Sequence, residues 1–183
     1  MHRAADLETL FRDTFYARHH TVLEGGFAEP LYRPGAPARI RYTHDYFRSA
    51  LHEVAHWCVA GRRRRALEDY GYWYAPDGRD ADQQARFLKV EVRPQAFEAL
   101  FCAACEHRFQ VSLDNLDGDP GDAHRFATDV RALAHDLIDQ GLPERPRQWI
   151  AALERHYHTA HRPLADRLDT VFPPTGRATL HRD

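Results

Sequence analysis

Two histidines and a glutamate stand in the order His-Glu-x-x-His within the stretch SALHEVAHWCVAG, Ser49 to Gly61: they are His52, Glu53 and His56. Residues four apart on an α-helix lie one turn above each other on the same face, so His52 and His56 can direct their imidazoles at a single point. Such a point can hold a metal ion. Glu53, about 100° round the helix from His52, can touch a metal-bound water without ligating the metal, which makes it the candidate catalytic residue. Leu51, Val54, Ala55, Trp57, Val59 and Ala60 surround the polar three with apolar side chains, where unpaired polar groups are costly. That cost argues against histidines that merely pack.

A metal held by two histidines needs at least one further protein ligand, and a carboxylate is the commonest partner. Glu68, Asp69, Asp77, Asp80, Glu91 and Glu98 lie downstream. Glu91 is preferred because it precedes an apolar segment, PQAFEALFCAAC, that can pack on the histidine helix and aim a carboxylate across; Glu98, on that segment, is its competitor. Two histidines and one carboxylate leave coordination positions open, which suits catalysis better than a purely structural site. With zinc the site would activate water for hydrolysis, Glu53 acting as general base. With ferrous iron it would bind dioxygen and attack a C–H bond. The ligand types fit both.

These residues need a scaffold. A chain of 183 residues with 43% apolar and 11% aromatic side chains can bury one sizeable core, so one domain spanning residues 1–183 is expected. A formal net charge of −2 supplies no global field toward nucleic acid or membrane, and neither is an expected partner. No run of about 18 apolar residues is present, and three cysteines, Cys58, Cys102 and Cys105, do not suggest a disulfide framework. A reducing cytoplasm is the expected compartment.

Leu7, Leu10, Phe11 and Phe15 recur at three- and four-residue spacing and predict a helix from Ala5 to about Arg18. Glycines and prolines punctuate Thr21 to Tyr42, between which PLYRP and ARIRYT read as short strands of a minor sheet. Helical spacing returns from Tyr46 to about Gly61, with Gly61 as the terminator. Alternating aromatics predict a short strand within Tyr70 to Ala81, with a turn at Pro76-Asp77-Gly78. Asp80 then caps a helix toward Lys89, Pro94 forces a kink or fresh start near Val92 to Pro94, and helix continues to about Glu106. Ala123 to Gln140 and the segment from Pro146 add two more helices, and residues 162–183 are expected to form a loosely ordered tail. The expected class is α+β, mainly helical with a small sheet.

Several blocks together, ALHEVAHWCVAGRRRRALEDYGYWYAPDGRDADQQ, VEVRPQAFEALFCAA, DNLDGD and GLPERPRQWIAAL, resemble the bacterial elongation factor P hydroxylase family over about Ile40 to His158. The resemblance implies an atypical hydroxylase with a zincin-like, metallopeptidase-like metal helix in place of a double-stranded β-helix. It implies action on the β-lysylated lysine of translation elongation factor P, the last step in maturing that factor, and metal positions at His52, His56 and Glu91. Fe(II) with dioxygen as co-substrate becomes the expected chemistry, with zinc or another divalent metal possible in isolated protein. A zinc hydrolase using Glu53 and a metal-stabilised module that binds a translation factor are the alternatives.

A β-lysylated lysine carries primary amines, so its pocket should offer aromatic faces and carboxylates. Tyr72, Tyr74 and Asp80 are the expected substrate contacts, with His44, two residues before the metal helix, as another. Arg62, Arg63, Arg64 and Arg65 form the sharpest charge run and are the expected docking patch for an acidic partner protein. Cys102 and Cys105 form C-x-x-C in an apolar setting, which favours core packing over redox or zinc chemistry. DNLDGD lacks the ligand spacing of a calcium loop and reads as a capped turn.

Overall fold

Leu7, Phe11 and Phe15, all fully buried, form one stripe of α1 (Ala4–His19), and the rings of Phe11 and Phe15 meet those of Trp57 and Trp149 with centroids 5.0 to 6.1 Å apart. This aromatic knot is one end of a continuous core. The computed structural model describes residues 1–71, 81–113 and 120–172, apart from the side chains of residues 81, 82 and 120–122. The secondary structure is mainly helical with a small sheet, an α+β arrangement.

The sheet holds three strands, β1 (Thr21–Phe27), β2 (Leu31–Arg33) and β3 (Ala38–Thr43), in the order β1-β3-β2. β3 runs parallel to β1 and antiparallel to β2. Its Ala38, Ile40 and Tyr42 point inward and alternate with less buried residues, as the period of two requires. The β1–β3 register shifts between Glu24 and Phe27, at two glycines. Gly25 is obligatory there, because a Cβ would lie 2.5 Å from the Tyr42 hydroxyl, while Gly26 takes a φ of +93°. Glu8 of α1 locks this corner by accepting from both Gly25 N and the Tyr42 hydroxyl at 2.8 Å.

α2 (Phe47–Val59) lies against β3 and carries the histidine motif. α3 (Ala81–Cys105) packs on α2, α4 (Pro120–Asp139), α5 (Glu144–Tyr157) and α6 (Leu164–Val171). It is enclosed by neighbours, so every residue from Pro94 to Cys105 is buried. α3 runs through Pro94 where a break was expected. The proline removes the N–H that would bond Val90, and Val90 sits on the exposed side at 41% exposure, where water can replace the missing donor. Helix α4 begins earlier than expected, at Pro120, and Pro146 falls in the first turn of α5, where no intrahelical N–H is required of it.

α2 does not end on a glycine device. Ala60 caps it with an extended backbone, and the free carbonyls are taken by side chains: Arg145 donates to Trp57, Cys58 and Ala60 at 2.7 to 3.2 Å, and Arg65 to Ala60 at 2.6 Å. Within the stretch expected to be loosely held, Leu164–Val171 forms α6, with Arg167 and Leu168 fully buried. Arg167 donates to the carbonyl of Ala103 in the last turn of α3 and pairs with Glu154. Residues 173–183 lie outside the described residues. No helix among the described residues is long and apolar enough to cross a membrane.

Candidate metal centre

α2 and α3 meet along two polar stripes on otherwise apolar faces. On α2, Arg48, His52 and His56 follow at four-residue intervals; on α3, Glu91, Gln95 and Glu98 follow at four and three. The stripes pair in opposite chain directions: Arg48 with Glu98, His52 with Glu98 and Glu91, His56 with Glu91.

His56 Nε2 stands 3.0 Å from His52 Nε2, and Glu91 places Oε1 3.4 Å from the former and Oε2 3.7 Å from the latter. Each of the three residues thus offers one ligand atom, all within 4.8 Å of one another. Ligands about 2.1 Å from one ion stand about 3.0 Å apart at octahedral angles and about 3.4 Å apart at tetrahedral ones; the imidazole pair and the His56–Glu91 pair match these spacings, and the His52–Glu91 pair, measured to the other carboxylate oxygen, lies a little beyond them, so the set could hold a divalent transition metal. Zinc and ferrous iron both accept two imidazoles and a carboxylate.

Glu98, the competing carboxylate, occupies a different place. Its Oε2 meets His52 Nδ1 at 2.8 Å, and its Oε1 accepts from Nε and Nη2 of Arg48 at 3.1 and 2.8 Å. Nδ1 therefore carries the proton that Glu98 accepts, and Nε2 is the nitrogen left to face His56 and Glu91. Burial disfavours a charged His52, yet the Glu98 hydrogen bond and the charges of Glu98, Glu91 and Glu53 outweigh it and push the imidazole up to about 10. Burial also works against ionised Glu91 and Glu98, but contact with His56 for the first, and with His52 and Arg48 for the second, holds both carboxyls below their usual range.

Glu53 is half-buried and lies outside the three-residue cluster. Burial raises its carboxyl above the ordinary value against the pull of His56 and His52, so it holds a proton more readily than a surface glutamate does.

The other expected site residues divide. His44 is exposed just past β3, its ring against Tyr46, and its backbone extends the pairing with β1 through Gly26 N and Phe27 O. Arg62 and Arg63 are exposed, whereas Arg64 donates to the Tyr70 carbonyl and Arg65 to that of Ala60. Half of the basic run thus also braces the backbone. Tyr72, Tyr74, Asp80 and the DNLDGD segment lie outside the described residues; Tyr70 and Gly71, placed in a strand from the sequence, end a 3-10 turn instead. Cys102 and Cys105 are buried and unpaired.

Two residues of the site, Arg48 and Gln95, carry no expectation from the sequence; they complete the stripes, and their four-residue offsets from His52 and Glu91 are visible signals. Tyr70 is part of the aromatic run YGYWY, expected in a strand that could offer faces to a substrate, and its place beside His56 has no signal in that pattern. Tyr70 is 4% exposed, lies parallel to the His56 ring at 6.5 Å and stacks on Tyr32 at 4.3 Å, with no partner for its hydroxyl among the described residues. Asp69 and Tyr70 hold φ of 45° and 59°, a left-handed conformation that costs a non-glycine residue about 1 kcal/mol or more. Two tethers maintain it: Tyr32 N donates to Asp69 Oδ1 at 2.8 Å and Arg64 donates to Tyr70 O at 3.1 Å.

Comparison with known proteins matches residues 10–167 to the family model described as elongation factor P hydroxylase. The chain is also 41% identical over 162 residues to a Haemophilus influenzae protein named elongation factor P lysine hydroxylase, covering 86% of this chain and 91% of that one.

Proposed function

The chain belongs to the elongation factor P hydroxylase family, and from that premise we propose that it hydroxylates the β-lysylated lysine of translation elongation factor P, completing that factor's maturation with Fe(II) and dioxygen. The observation that carries the metal-dependent reading is the convergence of His52, His56 and Glu91 from two buried helices onto one point. Bound there, ferrous iron would supply the activation of dioxygen that redox-silent zinc cannot. One oxygen atom enters a C–H bond and the other leaves as water, with two electrons from an external reductant.

The chain's own groups have definable parts in this reading. His52, His56 and Glu91 would hold the ion, and a set of only three protein ligands would leave it able to take further ones. Glu98 fixes the tautomer of His52. Glu53, with its carboxyl raised by burial, holds or hands over a proton beside the reacting groups. α2 then serves as a zincin-like metal helix. Tyr72, Tyr74 and Asp80, with His44, are assigned as contacts for the substrate amines, and Arg62 to Arg65 as the docking face for the acidic partner. The whole is read as one domain working in the cytoplasm, in keeping with its buried, unpaired cysteines.

The deciding experiment is anaerobic reconstitution with Fe(II), exposure to air in the presence of a reductant and β-lysylated elongation factor P, and mass spectrometry of the factor. A gain of one oxygen atom on the modified lysine is expected. Peptide cleavage with zinc and no oxygen transfer with iron would replace this reading with a hydrolase using Glu53. Binding without turnover would leave a translation-factor binding module.

A further inference from the structure

Beyond the end of α3 the backbone from Gln110 to Leu113 is held by side chains of α2 and α3. Arg48 Nη2 donates to the Gln110 carbonyl, Gln95 Nε2 to that of Ser112 at 2.7 Å, and Gln84 Nε2 to that of Leu113 at 2.9 Å; Ser112 N donates back to Gln95 Oε1 at 3.0 Å. Two of these three side chains also bear on carboxylates at the cluster. Arg48 forks onto Glu98, which holds His52, and Gln95, one turn from Glu91 on the same face of α3, helps hold that carboxyl below its usual range.

The geometry gives this double use a direction. Gln95 is 1% exposed, and a buried amide needs its donors and acceptor satisfied. Pairing with both N–H and C=O of Ser112 settles which end of the amide is nitrogen. The remaining amide hydrogen is then free to be offered to Glu91, one turn away, in line with the lowering of that carboxyl; a flipped amide would offer an oxygen instead. On the other side, the guanidinium of Arg48 spans Glu98 and the Gln110 carbonyl, so Glu98 is held from a fixed backbone point.

We infer that Gln110–Ser112 is a positioning strap, whose backbone fixes Arg48 and Gln95 and through them the orientation of Glu98 toward His52 and of Glu91 toward a metal. This rests on the proposed metal site and assigns Arg48 and Gln95 as positioning residues rather than ligands. Coupling of this kind is reciprocal: if the strap orders the carboxylates, an ion held by them orders the strap.

The test uses the full chain with Co(II) as a spectroscopic probe. In the unsubstituted protein, Co(II) is expected to bind, show visible ligand-field bands and slow hydrogen exchange at the Ser112 amide. Gln95→Glu keeps the size but places an acceptor against Glu91. It is expected to weaken Co(II) binding about 10- to 100-fold, shift the bands and abolish the Ser112 response. Arg48→Lys keeps the charge but not the fork and is expected to shift the bands in the same way; it carries the test if Gln95→Glu does not fold. Co(II) affinity and bands unchanged in the folded variants, or a Ser112 amide indifferent to Co(II), overturn the strap alone. An unsubstituted protein that binds no Co(II) overturns the metal reading, and the strap with it.

Discussion

Glu98 holds His52 by Nδ1 at 2.8 Å, while Glu91 faces the Nε2 of the same ring at 3.7 Å. One imidazole thus lies between two carboxylates, to which the proposed reading gives two different duties, ligand for Glu91 and orienter for Glu98. Substituting each should give different losses. Glu91→Ala removes a ligand atom and is expected to abolish stoichiometric metal uptake, whereas Glu98→Ala leaves three ligands and should weaken affinity by about 10- to 100-fold. Titration calorimetry and metal analysis separate the two. Equal, complete loss in both variants would mean that Glu98 is itself a ligand.

The sequence showed the first half of this arrangement and hid the second. His52 and His56 were legible because helix periodicity alone puts them on one face. From the sequence, Glu91 and Glu98 compete for a single ligand position, and a break expected at Pro94 leaves their relative orientation undefined. The helix is continuous, so residues at i, i+4 and i+7 form one stripe and both carboxylates face His52. The minor sheet was legible from glycine and proline punctuation, and the aromatic stripe of α1 from its spacing. Tyr70 was not, because its placement depends on two left-handed residues and on tethers from Tyr32 and Arg64, far apart or irregular in sequence. The same holds for Arg145, whose partners on α2 lie more than eighty residues away.

Arg145 predicts a stability effect. Its guanidinium takes up three carbonyls at the end of α2 and lies 4.7 Å over the Trp57 ring. Hydrogen bonds from a charged donor contribute about 1.5–3 kcal/mol each in favourable cases and are not additive. Arg145→Ala is therefore expected to destabilise the fold by about 2–4 kcal/mol, measured by urea unfolding. A loss under about 0.5 kcal/mol would show that water satisfies those carbonyls equally well.

The cysteines give a pH-dependent outcome. Burial pushes the Cys58 and Cys105 thiols up to about 12 and that of Cys102 well above its ordinary value. The thiolate is the reactive form, so at pH 8 only about one part in ten thousand of a thiol with such a pKa is ionised. Native protein is expected to resist a thiol-specific disulfide reagent at pH 8, with any labelling accelerating as pH rises, and to react at all three cysteines once unfolded. Rapid labelling of Cys102 or Cys105 in the native state would reopen the C-x-x-C pair as a reactive site.

The four consecutive arginines separate into two kinds, and a docking experiment can use the division. Arg65 braces the end of α2 through Ala60 and sits beside Trp57, so replacing it should lower thermal stability as well as any binding. Arg62 and Arg63 are exposed, and a surface substitution there typically changes stability by less than about 0.5 kcal/mol. Arg62→Ala with Arg63→Ala is accordingly expected to leave the melting temperature unchanged while weakening binding to elongation factor P at low salt. The difference from the unsubstituted protein should shrink as salt screens exposed charge over about 10 Å at 0.1 M. Identical dissociation constants across that salt range would remove these two arginines from the interface.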